Sequence, residues 1–599
     1  MKKRLNIFLI MIGVASLLLI GRLAFLQLIM GDRYGKIARF NIIRTTLITA
    51  PRGEIRDRKG RVLAYDVPRL NVCAIPFEID DVEKFAKKLA PLIGYSPERI
   101  VKIIKKHKGN KFQEIVIKSK VNTEVMMRVA EYQGDIPGLY LEVLPVREYP
   151  HGEIASHIIG YVGEITGEEL GKPRYSGRRQ GDVVGKDGIE KYYDQYLQGK
   201  MGEVEEVVDA SGKIIKVLGK TQPRPGYNLY LTLDFELQKE CEELLKYYVK
   251  SLSKISGEPL AGSVIIMNSK TGEIFAMVSY PGFDPNIFSK GVSRKDYQKL
   301  INRKDYPLLN RSIAGAYPAA STFKIVTGSA ALQEGICTRY SPFYCSGRHK
   351  VGNLYFNCFV RAGHGPINFH KSISESCDVV FYILGESLGI DRLLNYSRQY
   401  GIGSKTDIDL PGEISGLLPN HIWKMKTLKE PWYTGDTVNL SIGQGYLGIT
   451  PLQMAVVVGV VANKGFMYRP FLVKKVERHD NVVLKVINPV ISKRVKIKPG
   501  HFNAIRDGMR EAVLTGTAKR LNSPKMRFAG KTGTAENFPT KENPHGRNHT
   551  WFVGMGPFED PEIILVVFLE KSGGLAGKRA VPLSRSILNE YRKLKNGKN

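Results

Sequence analysis

The sequence predicts an α+β protein with one N-terminal transmembrane helix, an extended α+β region, and a larger domain in which helices flank an antiparallel sheet. Three observations indicate this. The chain of 599 residues is several times longer than a typical domain. A long apolar segment follows a basic N-terminus. Beyond it, short β-branched runs alternate with stretches of helical periodicity. A hydrophobic content of 43% with 25% charged residues is ordinary for folded domains.

The N-terminal segment is predicted to be a membrane anchor. Three basic residues at positions 2–4 precede an apolar segment that runs, interrupted only by Arg22, as far as Met30. This length is sufficient to span a bilayer. The basic residues indicate that residues 1–4 form a cytoplasmic tail. The apolar segment does not end in a small-x-small cleavage site. We therefore expect residues 5–30 to be a retained membrane anchor and not a cleaved signal peptide. We therefore expect a single-pass protein of the cytoplasmic (inner) membrane with the bulk of the chain outside the cytoplasm.

The chain is basic, with 89 Lys and Arg against 58 Asp and Glu and a formal net charge of +31. The positive charge is spread along the chain, and neither a zinc-finger spacing nor an aromatic RNA-binding signature accompanies it. A nucleic-acid partner is therefore not expected. An anionic lipid surface or an acidic cell-wall polymer fits the same charge.

Proline and glycine punctuation divides the rest of the chain into two domains. Residues 31–225 contain short β-branched runs, such as residues 139–146, and are predicted to form the extended α+β region. The Pro/Gly segment at residues 222–226 marks a boundary, so the second domain is predicted over residues 226–599.

Strand and helix signals follow in order through the second domain. Residues 234–249 have helical spacing, and the apolar run 455–462, too short to cross a membrane, is predicted to be a buried core element. Turn residues 268–272 join two β-runs into a predicted hairpin. The predicted strands are residues 227–233, 263–267, 273–278, 549–554 and 563–569.

Ser321 and Lys324 form a candidate catalytic pair. Pro318 is placed to help begin a helix, and one helical turn brings residues i and i+3 to the same face. A serine hydroxyl becomes a nucleophile when a base removes its proton, and a buried lysine with a lowered pKa is such a base. By itself the pattern S-x-x-K also fits a capping serine beside a solvated lysine.

Two further motifs follow in order. The first is S-C-D and the second is K-T-G-T, and their residues are Ser376, Cys377, Asp378, Lys531, Thr532, Gly533 and Thr534. S-x-x-K followed by an S-D-N-type motif and K-T-G is the signature of penicillin-binding proteins and class A β-lactamases. Ser376 is placed to relay a proton and Lys531 to face a substrate carboxylate, while Gly533 lets a substrate backbone approach closely.

With these motifs, the chain resembles the class B penicillin-binding proteins, and most of all the penicillin-binding protein 2 family of the elongation machinery. The resemblance covers nearly the whole chain. Residues 50–60 and 185–190 resemble the two motifs of that family's pedestal domain, so residues 31–225 are expected to be the pedestal. Residues 441–445 and 450–453 resemble a segment of its transpeptidase domain, expected over residues 226–599.

The resemblance implies a peptidoglycan D,D-transpeptidase that cross-links stem peptides during cell elongation. Ser321 is then the nucleophile, Lys324 the base, and Ser376 and Asp378 line the proton path. Lys531 and Thr532 hold the donor carboxylate, and backbone N–H groups of Ser321 and Thr534 form the oxyanion hole. The implied partners are peptidoglycan stem peptides, β-lactam antibiotics that acylate Ser321, a SEDS-family glycosyltransferase and elongation-complex proteins.

The chain departs from the family pattern at two places. It has Ala319 and Ala320 where relatives commonly have Pro-Gly before the nucleophile, which is expected to alter the turn without removing a catalytic group. Asp378 stands where many relatives have Asn, and the acidic form is characteristic of the elongation-type branch.

Three cysteines and a histidine form a candidate zinc site, because thiolate and imidazole are suitable tetrahedral ligands. The residues are Cys345, Cys358, His364 and Cys377. Their spacing lacks a C-x-x-C pair, so a Cys345–Cys358 disulfide or buried free thiols stay open on the residues alone. The resemblance implies structural Zn²⁺ between the first two motifs at these positions, although relatives with Asp in place of Cys345 and Cys358 fit the same pattern. Alternative ligands are His349, His370 and Cys337.

Three alternative functions remain. A D,D-carboxypeptidase or β-lactamase would use water as acceptor, but no water-activating Glu is assignable, and such hydrolases need neither pedestal nor anchor. A division-type transpeptidase is disfavoured by Asp378 and the Cys/His set. A scaffold that activates a SEDS glycan polymerase through residues 5–60 is the alternative outside enzymes, and it is compatible with a catalytic role.

Overall fold

The computed structural model describes residues 2–30, 43–106, 115–132, 134–208, 214–536 and 545–597. In chain order the strands are β1 (Ile43–Ile48), β2 (Ile55–Arg56), β3 (Val62–Ala74), β4 (Ile115–Lys118), β5 (Leu139–Glu148), β6 (Val162–Glu164), β7 (Val183–Gly185), β8 (Gly202–Val208), β9 (Ile214–Thr221), β10 (Asn228–Leu231), β11 (Ala261–Asn268), β12 (Ile274–Tyr280), β13 (Pro342–Cys345), β14 (Arg348–Val351), β15 (Leu354–Asn357), β16 (Gly365–Asn368), β17 (Phe466–Tyr468), β18 (Val473–Glu477), β19 (Val483–Val486), β20 (Ile491–Arg494), β21 (Ala529–Ala535), β22 (His549–Gly556) and β23 (Ile563–Glu570).

The α-helices are α1 (Lys2–Ala24), α2 (Val82–Ile93), α3 (Pro97–Lys106), α4 (Thr123–Tyr132), α5 (Ser156–Ile159), α6 (Gly167–Leu170), α7 (Gly188–Tyr192), α8 (Asp194–Leu197), α9 (Phe235–Ser256), α10 (Asn286–Ser289), α11 (Arg294–Ile301), α12 (Arg311–Ala314), α13 (Lys324–Gln333), α14 (Phe369–Ser374), α15 (Asp378–Gln399), α16 (His421–Leu428), α17 (Thr434–Ser441), α18 (Pro451–Ala462), α19 (Pro499–Leu514) and α20 (Ala580–Asn596). The predicted α+β class is confirmed.

The N-terminal helix is apolar around its whole circumference. Helix α1 continues into a π-helical turn at Phe25–Ile29, and the 26-residue span Arg4–Ile29 contains an 18-residue stretch with a mean hydropathy of 2.4. Among the residues that the structure describes, none buries this stretch. By length and composition it is a helix that can cross a membrane.

The chain forms two compact units. The first contains residues 1–52, 66–146 and 199–226. Its strands β1, β8 and β9 form an antiparallel sheet, while helices α2 to α4 enclose a separate apolar core with the later part of β3. Val72, Leu89, Ile100 and Val129 are fully buried there.

The second unit contains residues 53–65, 147–198 and 227–599, and it is built on a five-stranded antiparallel sheet. The strand order is β12-β11-β23-β22-β21, so β21 is an edge strand. Side chains alternate between the faces, as the pleat requires. In β11, Val264 packs with α9 and α20 on one face, and Ile265 packs with α18 on the other.

The apolar run near residue 455 forms the central helix α18. All twelve of its residues are buried. Pro451 occupies the first turn, and Thr450 and Gln453 form a capping box that satisfies the free N–H groups. The predicted core element is confirmed, and it lies behind the sheet that carries β21.

The other predicted elements are found close to their expected bounds. The hairpin is β11–β12, with Val264 opposite Val278, and the last two predicted strands are β22 and β23. The helix predicted from residue 234 is α9, which begins after Asp234 caps the Leu237 N–H and continues to Ser256. The predicted run 139–146 lies within β5.

Candidate active site

Ser321 lies in a 3₁₀ turn and not in an α-helix. The turn spans Ala320–Thr322, and helix α13 begins only at Lys324, so Pro318 does not start it as predicted. The turn is held by the Ala320 N–H, which donates to Gly443 O at 2.8 Å, and by the Thr322 hydroxyl, which donates to Ala319 O at 2.6 Å. The half-buried Ser321 side chain opens into the large cavity of this unit.

Lys324 is buried and directed toward the second motif. Its Nζ donates to Asp378 Oδ1 at 2.7 Å, to Ser376 O at 2.7 Å and to Ser376 Oγ at 3.4 Å. Within the described residues, no hydrogen bond joins it to the Ser321 hydroxyl. The first and second motifs, far apart in sequence, are therefore bonded to each other through the lysine.

Lys531 approaches the same hydroxyl from the third motif. Its Nζ donates to Ser376 Oγ at 2.7 Å and to Thr532 O at 3.1 Å. Burial, reinforced by the nearby charge of Lys324, lowers the pKa of Lys531 well below its ordinary value. Ser376 Oγ thus lies between two lysine amines, which is the arrangement that a proton relay requires.

Two residues of the site adopt left-handed backbone conformations that are unusual for side chains with a Cβ. Ala320 has a φ of 50° and Ser376 a φ of 60°. Such conformations cost about 1–2 kcal/mol each and persist where the surrounding structure enforces them. The position before the nucleophile therefore has the backbone that suits glycine, and this chain adopts it with alanine.

Strand β21 presents its free edge to the nucleophile. Among the described strands it pairs with β22 alone, with Thr534 opposite Thr550. The Thr534 carbonyl accepts from the Gln444 side chain at 3.5 Å, and Gln444 lines the cavity. Because the N–H and C=O of a residue in an antiparallel strand point to the same side, the Thr534 N–H also faces the cavity.

Gly533 is required by close packing. A Cβ at this position would lie 3.0 Å from Thr322 Cγ2 and 3.1 Å from Ala319 O. The glycine therefore lets the edge strand approach the turn that carries Ser321.

The cavity has a volume of about 780 Å³. Ser321, Ser376, Asp378, Thr532 and Thr534 line it together, so the three motifs meet at one place. Pro318, Cys358 and part of the segment 441–445, which the sequence also marks, line it as well. The lining residues that sequence reasoning missed, because no motif marks them, include Tyr355, Phe356, Phe359, Arg361, Tyr382, Asn439, Thr517, Glu536, Asn548 and Lys578.

The predicted metal ligands also converge. One ligand atom from each of Cys345, Cys358, His364 and Cys377 lies within 4.8 Å of all the others. The three thiols are buried, and Cys358 Sγ is 3.6 Å from His364 Nδ1. All six cysteines of the chain are free thiols, so the alternative Cys345–Cys358 disulfide is not formed. The alternative ligands His349, His370 and Cys337 lie outside this group.

The surrounding loops fit a small tetrahedral ion. Gly363 has a φ of 82°, and a Cβ there would lie 2.3 Å from Cys345 O, so the chain folds tightly around the thiols. The hydrogen bond between the two thiols lowers the pKa of Cys358 and raises that of Cys377, so the pair holds one thiolate more readily than two. Thiolate and imidazole are ligands that zinc binds. Donor type and spacing therefore suit Zn²⁺.

Comparisons with known proteins agree with this geometry. The family model "Penicillin binding protein transpeptidase domain" matches residues 262–589, and "Penicillin-binding Protein dimerisation domain" matches residues 47–231. The peptidoglycan D,D-transpeptidase MrdA of Acinetobacter baumannii is 33% identical over 95% of this chain and 85% of its own length. The MrdA of Escherichia coli K12 is 32% identical over 95% of this chain and 91% of its own length.

Solved structures give the same result. The penicillin-binding protein PBP2 of Helicobacter pylori, solved in complex with MreC, is 28% identical, with a TM-score of 0.78 over 92% of this chain and 99% of that chain. A chain from a structure titled "Structural coordination of polymerization and crosslinking by a peptidoglycan synthase complex" is 30% identical, with a TM-score of 0.72 over 98% of this chain and 97% of that chain.

Fold and site thus define a serine-type acyl-transfer enzyme. The chain belongs to the penicillin-binding protein transpeptidase family, within the peptidoglycan D,D-transpeptidases of the MrdA (PBP2) type. The sequence-based prediction of family and enzyme class is confirmed, and the scaffold and division-type alternatives are not favoured.

Proposed function

We propose that Ser321 carries out D,D-transpeptidation on peptidoglycan stem peptides during cell elongation. The observation that carries this proposal is the convergence of Ser321, Lys324, Ser376 and Lys531 at one cavity beside a free strand edge. The assignments of the individual residues follow from this arrangement.

The first half-reaction forms an acyl-enzyme. Ser321 Oγ attacks the carbonyl carbon of the penultimate D-Ala, and the bond to the terminal D-Ala nitrogen breaks. Lys324 is the base that removes the proton of Ser321. To accept this proton, its Nζ has to give up one of the three hydrogen bonds that it donates in the structure. The proton reaches the leaving amine along Ser376, with Asp378 holding Lys324 in place. In the second half-reaction an amine of a neighbouring stem attacks the ester and regenerates the serine hydroxyl.

The oxyanion and the terminal carboxylate have separate sites. Backbone N–H groups of Ser321 and Thr534 stabilise the negative oxygen of the tetrahedral intermediate. Lys531 and Thr532 hold the carboxylate of the terminal D-Ala. Since an opposite charge raises the pKa of a buried amine, arrival of this carboxylate favours protonated Lys531.

Covalent labelling by a fluorescent penicillin tests the nucleophile. We expect intact-mass detection of one adduct on the wild-type protein and none on Ser321→Ala. Absence of labelling in the folded wild type with several β-lactams would reject the acyl-transfer mechanism, and the scaffold function would replace it.

We also propose that Cys345, Cys358, His364 and Cys377 hold structural Zn²⁺. A closed set of four ligands supplies no catalytic position and instead fixes the segments it joins. Cys377 lies between Ser376 and Asp378 in the sequence. Zinc bound by the four ligands would therefore hold in place the loop whose Asp378 contacts Lys324.

The proposed cellular arrangement follows the domain division of the sequence. Residues 1–4 are the cytoplasmic tail, 5–30 the anchor, 31–225 the pedestal and 226–599 the extracytoplasmic transpeptidase domain. The apolar span and the relatives' structures support a membrane-anchored enzyme that works with elongation-complex proteins and a SEDS-family glycosyltransferase and is inhibited by β-lactams.

A further inference from the structure

Two of the three tryptophans of the chain lie in the segment 423–432, apart from the three motifs. Trp423 is in α16, and Trp432 precedes Tyr433 in the loop before α17. The Trp423 ring lies 5.1 Å from the Tyr446 ring, measured between centroids. We call Trp423, Tyr433 and Tyr446 the aromatic platform, and the proposed reaction gives it no role.

Lys424 holds the two tyrosine rings of the platform in place. Its side chain is buried, and its Nζ lies 4.6 Å from the Tyr433 ring centroid and 5.9 Å from that of Tyr446. A cation over the face of an aromatic ring is attracted by the negative charge of that face. The rings are therefore oriented before a ligand arrives, which lowers the entropy cost of binding.

The outer parts of these rings are open to solvent. Tyr433 is 56% exposed and Tyr446 is 38% exposed. Since Lys424 lies over one face of each ring, the exposed area belongs to the other face and the edges. Ile422 and Met425 are also exposed and extend the apolar surface along α16. Exposed apolar surface of this kind on a folded domain is typical of a binding site.

The platform adjoins the catalytic cavity. Gly445, which directly precedes Tyr446, lines this cavity. A Cβ at Gly435, two residues after Tyr433, would lie 3.1 Å from Phe356, another lining residue. The segment that bears the platform therefore also forms part of the cavity wall.

A second part of the proposed substrate has to lie close to this cavity. In peptidoglycan each stem peptide is covalently attached to a sugar of the glycan strand. About four stem residues, each at most about 3.4 Å long, separate that sugar from the carbonyl that Ser321 attacks, so the sugar lies within about 14 Å of it. An aromatic surface that continues the cavity wall is therefore within reach of the strand.

We propose that the aromatic platform binds the pyranose rings of the glycan strand to which the stem peptide is attached. In a β-linked N-acetylglucosamine ring, the polar substituents point outward around the perimeter, and C–H groups cover both faces. These hydrogens carry partial positive charge and pack against the negative face of an aromatic ring. The contact holds the strand while its stem enters the cavity. This inference rests on the proposed function, because the reaction at Ser321 fixes where the strand lies.

The test titrates the full chain in detergent with chitohexaose, a β-1,4-linked oligomer of N-acetylglucosamine that carries no stem peptide. The readout is tryptophan fluorescence, because Trp423 belongs to the platform and Trp551, outside it, is buried. We expect a saturable change. Maltohexaose, an α-linked glucose oligomer of different shape, gives none.

Variants test the platform itself. Tyr433→Ala and Tyr446→Ala each raise the dissociation constant at least about fivefold, the equivalent of one lost aromatic contact. Tyr433→Phe keeps the ring and retains the wild-type constant. Tyr247→Ala, which removes an exposed tyrosine of α9 that does not line the cavity, also retains it. The unfolding temperature shows whether each variant is folded, and leucine replaces alanine wherever the alanine variant unfolds.

Absence of a saturable change with chitohexaose, while benzylpenicillin acylates the wild type, would overturn the inference and leave the proposed function intact. Equal dissociation constants in the wild type and the folded platform variants would also overturn it, since the sugar then binds elsewhere. A response to phosphatidylglycerol vesicles that Tyr433→Ala removes, without one to chitohexaose, would assign the surface to lipid and overturn the inference. If benzylpenicillin failed to acylate the wild type, the proposed function would fail and this inference with it.

Discussion

At the scale of the residue, two buried lysine amines meet at the Ser376 hydroxyl, and the Asp378 carboxylate bonds one of them. Lys324 and Lys531 are 1% and 0% exposed. Asp378 is bonded on both oxygens, to Lys324 Nζ at 2.7 Å and to the Phe359 N–H at 2.9 Å. The acidic residue of the second motif therefore lies against the buried Lys324 amine and also bonds Phe359, a residue of the cavity wall.

We predict that Asp378→Asn slows acylation by benzylpenicillin about 10- to 100-fold. The amide keeps one acceptor but loses the charge that compensates buried Lys324, and losing a charge-assisted bond costs about 1.5–3 kcal/mol. The rate constant is read from stopped-flow fluorescence or intact mass.

A second buried pair provides the control for this substitution. Lys424 Nζ donates to Asp436 at 2.7 Å outside the catalytic cavity. Asp436→Asn is expected to lower the unfolding temperature and leave the acylation rate unchanged. Equal effects of both substitutions on acylation would show that Asp378 acts only through general stability.

At the scale of the element, catalysis depends on how closely the edge strand β21 approaches the turn that carries Ser321. Sheet pairing with β22 fixes β21 on one side, and Gly533 allows contact with the turn on the other. The oxyanion N–H groups that we propose, those of Ser321 and Thr534, come from these two elements, so on this proposal their separation sets the geometry of the tetrahedral intermediate.

We predict that Gly533→Ala lowers the acylation rate by at least about tenfold with a small loss of stability. The added methyl lies 3.0–3.1 Å from its neighbours, so strand and turn separate by a few tenths of an ångström, and small misplacements of reacting groups are costly. Gly500→Ala, where a Cβ meets nothing within 4 Å, is the control and should leave acylation unchanged. An unaffected rate in Gly533→Ala would contradict the close-approach argument.

The Cys/His cluster is a second element-scale feature, since it joins the ends of β13 and β15 to the start of α15. We predict one Zn²⁺ per chain by plasma mass spectrometry, and its loss in Cys345→Ala together with a lower unfolding temperature. Cys337→Ala, at a buried thiol outside the cluster, should keep the metal. Full zinc content in Cys345→Ala would remove Cys345 from the ligand set.

At the scale of the whole molecule, protonation of Glu242 couples pH to the stability of the second unit. Glu242 accepts from the Ala155 N–H at 2.8 Å and from Gln238 at 2.7 Å, yet burial raises its pKa to about 7. The folded state therefore binds this proton more tightly than the unfolded state, whose Glu has a pKa near 4.5. The resulting stability is fully present below pH 4.5 and is lost as the pH rises toward 7.

We predict that Glu242→Gln stabilises the protein at pH 8 relative to wild type, by at most about 3 kcal/mol. The amide oxygen still accepts from Ala155 and carries no charge at any pH. The measurement is the difference in unfolding temperature between variant and wild type from pH 4.5 to 8. A difference that does not grow with pH would show that Glu242 is not the coupled group.

Part of this protein is determined by local sequence. Hydrophobic periodicity and turn residues predict the α1 span, the β11–β12 hairpin, β22, β23 and the buried run in α18, because these signals act over a few residues. Motif order also predicts the serine acyl-transfer class, since each chemical group is marked by its neighbours in the chain. The residue roles stay predictions until the labelling and substitution experiments are made.

Only the tertiary structure decided how these parts meet. It places Lys324 against Ser376 and Asp378, begins α13 after a 3₁₀ turn, and leaves β21 at a sheet edge. It also brings Arg361 and Glu536 to the cavity of Ser321, although no motif marks them. The physical reason is that such contacts depend on long-range packing of sheet and helices, which local periodicity does not encode, whereas the chemistry of each motif is carried by the residues themselves.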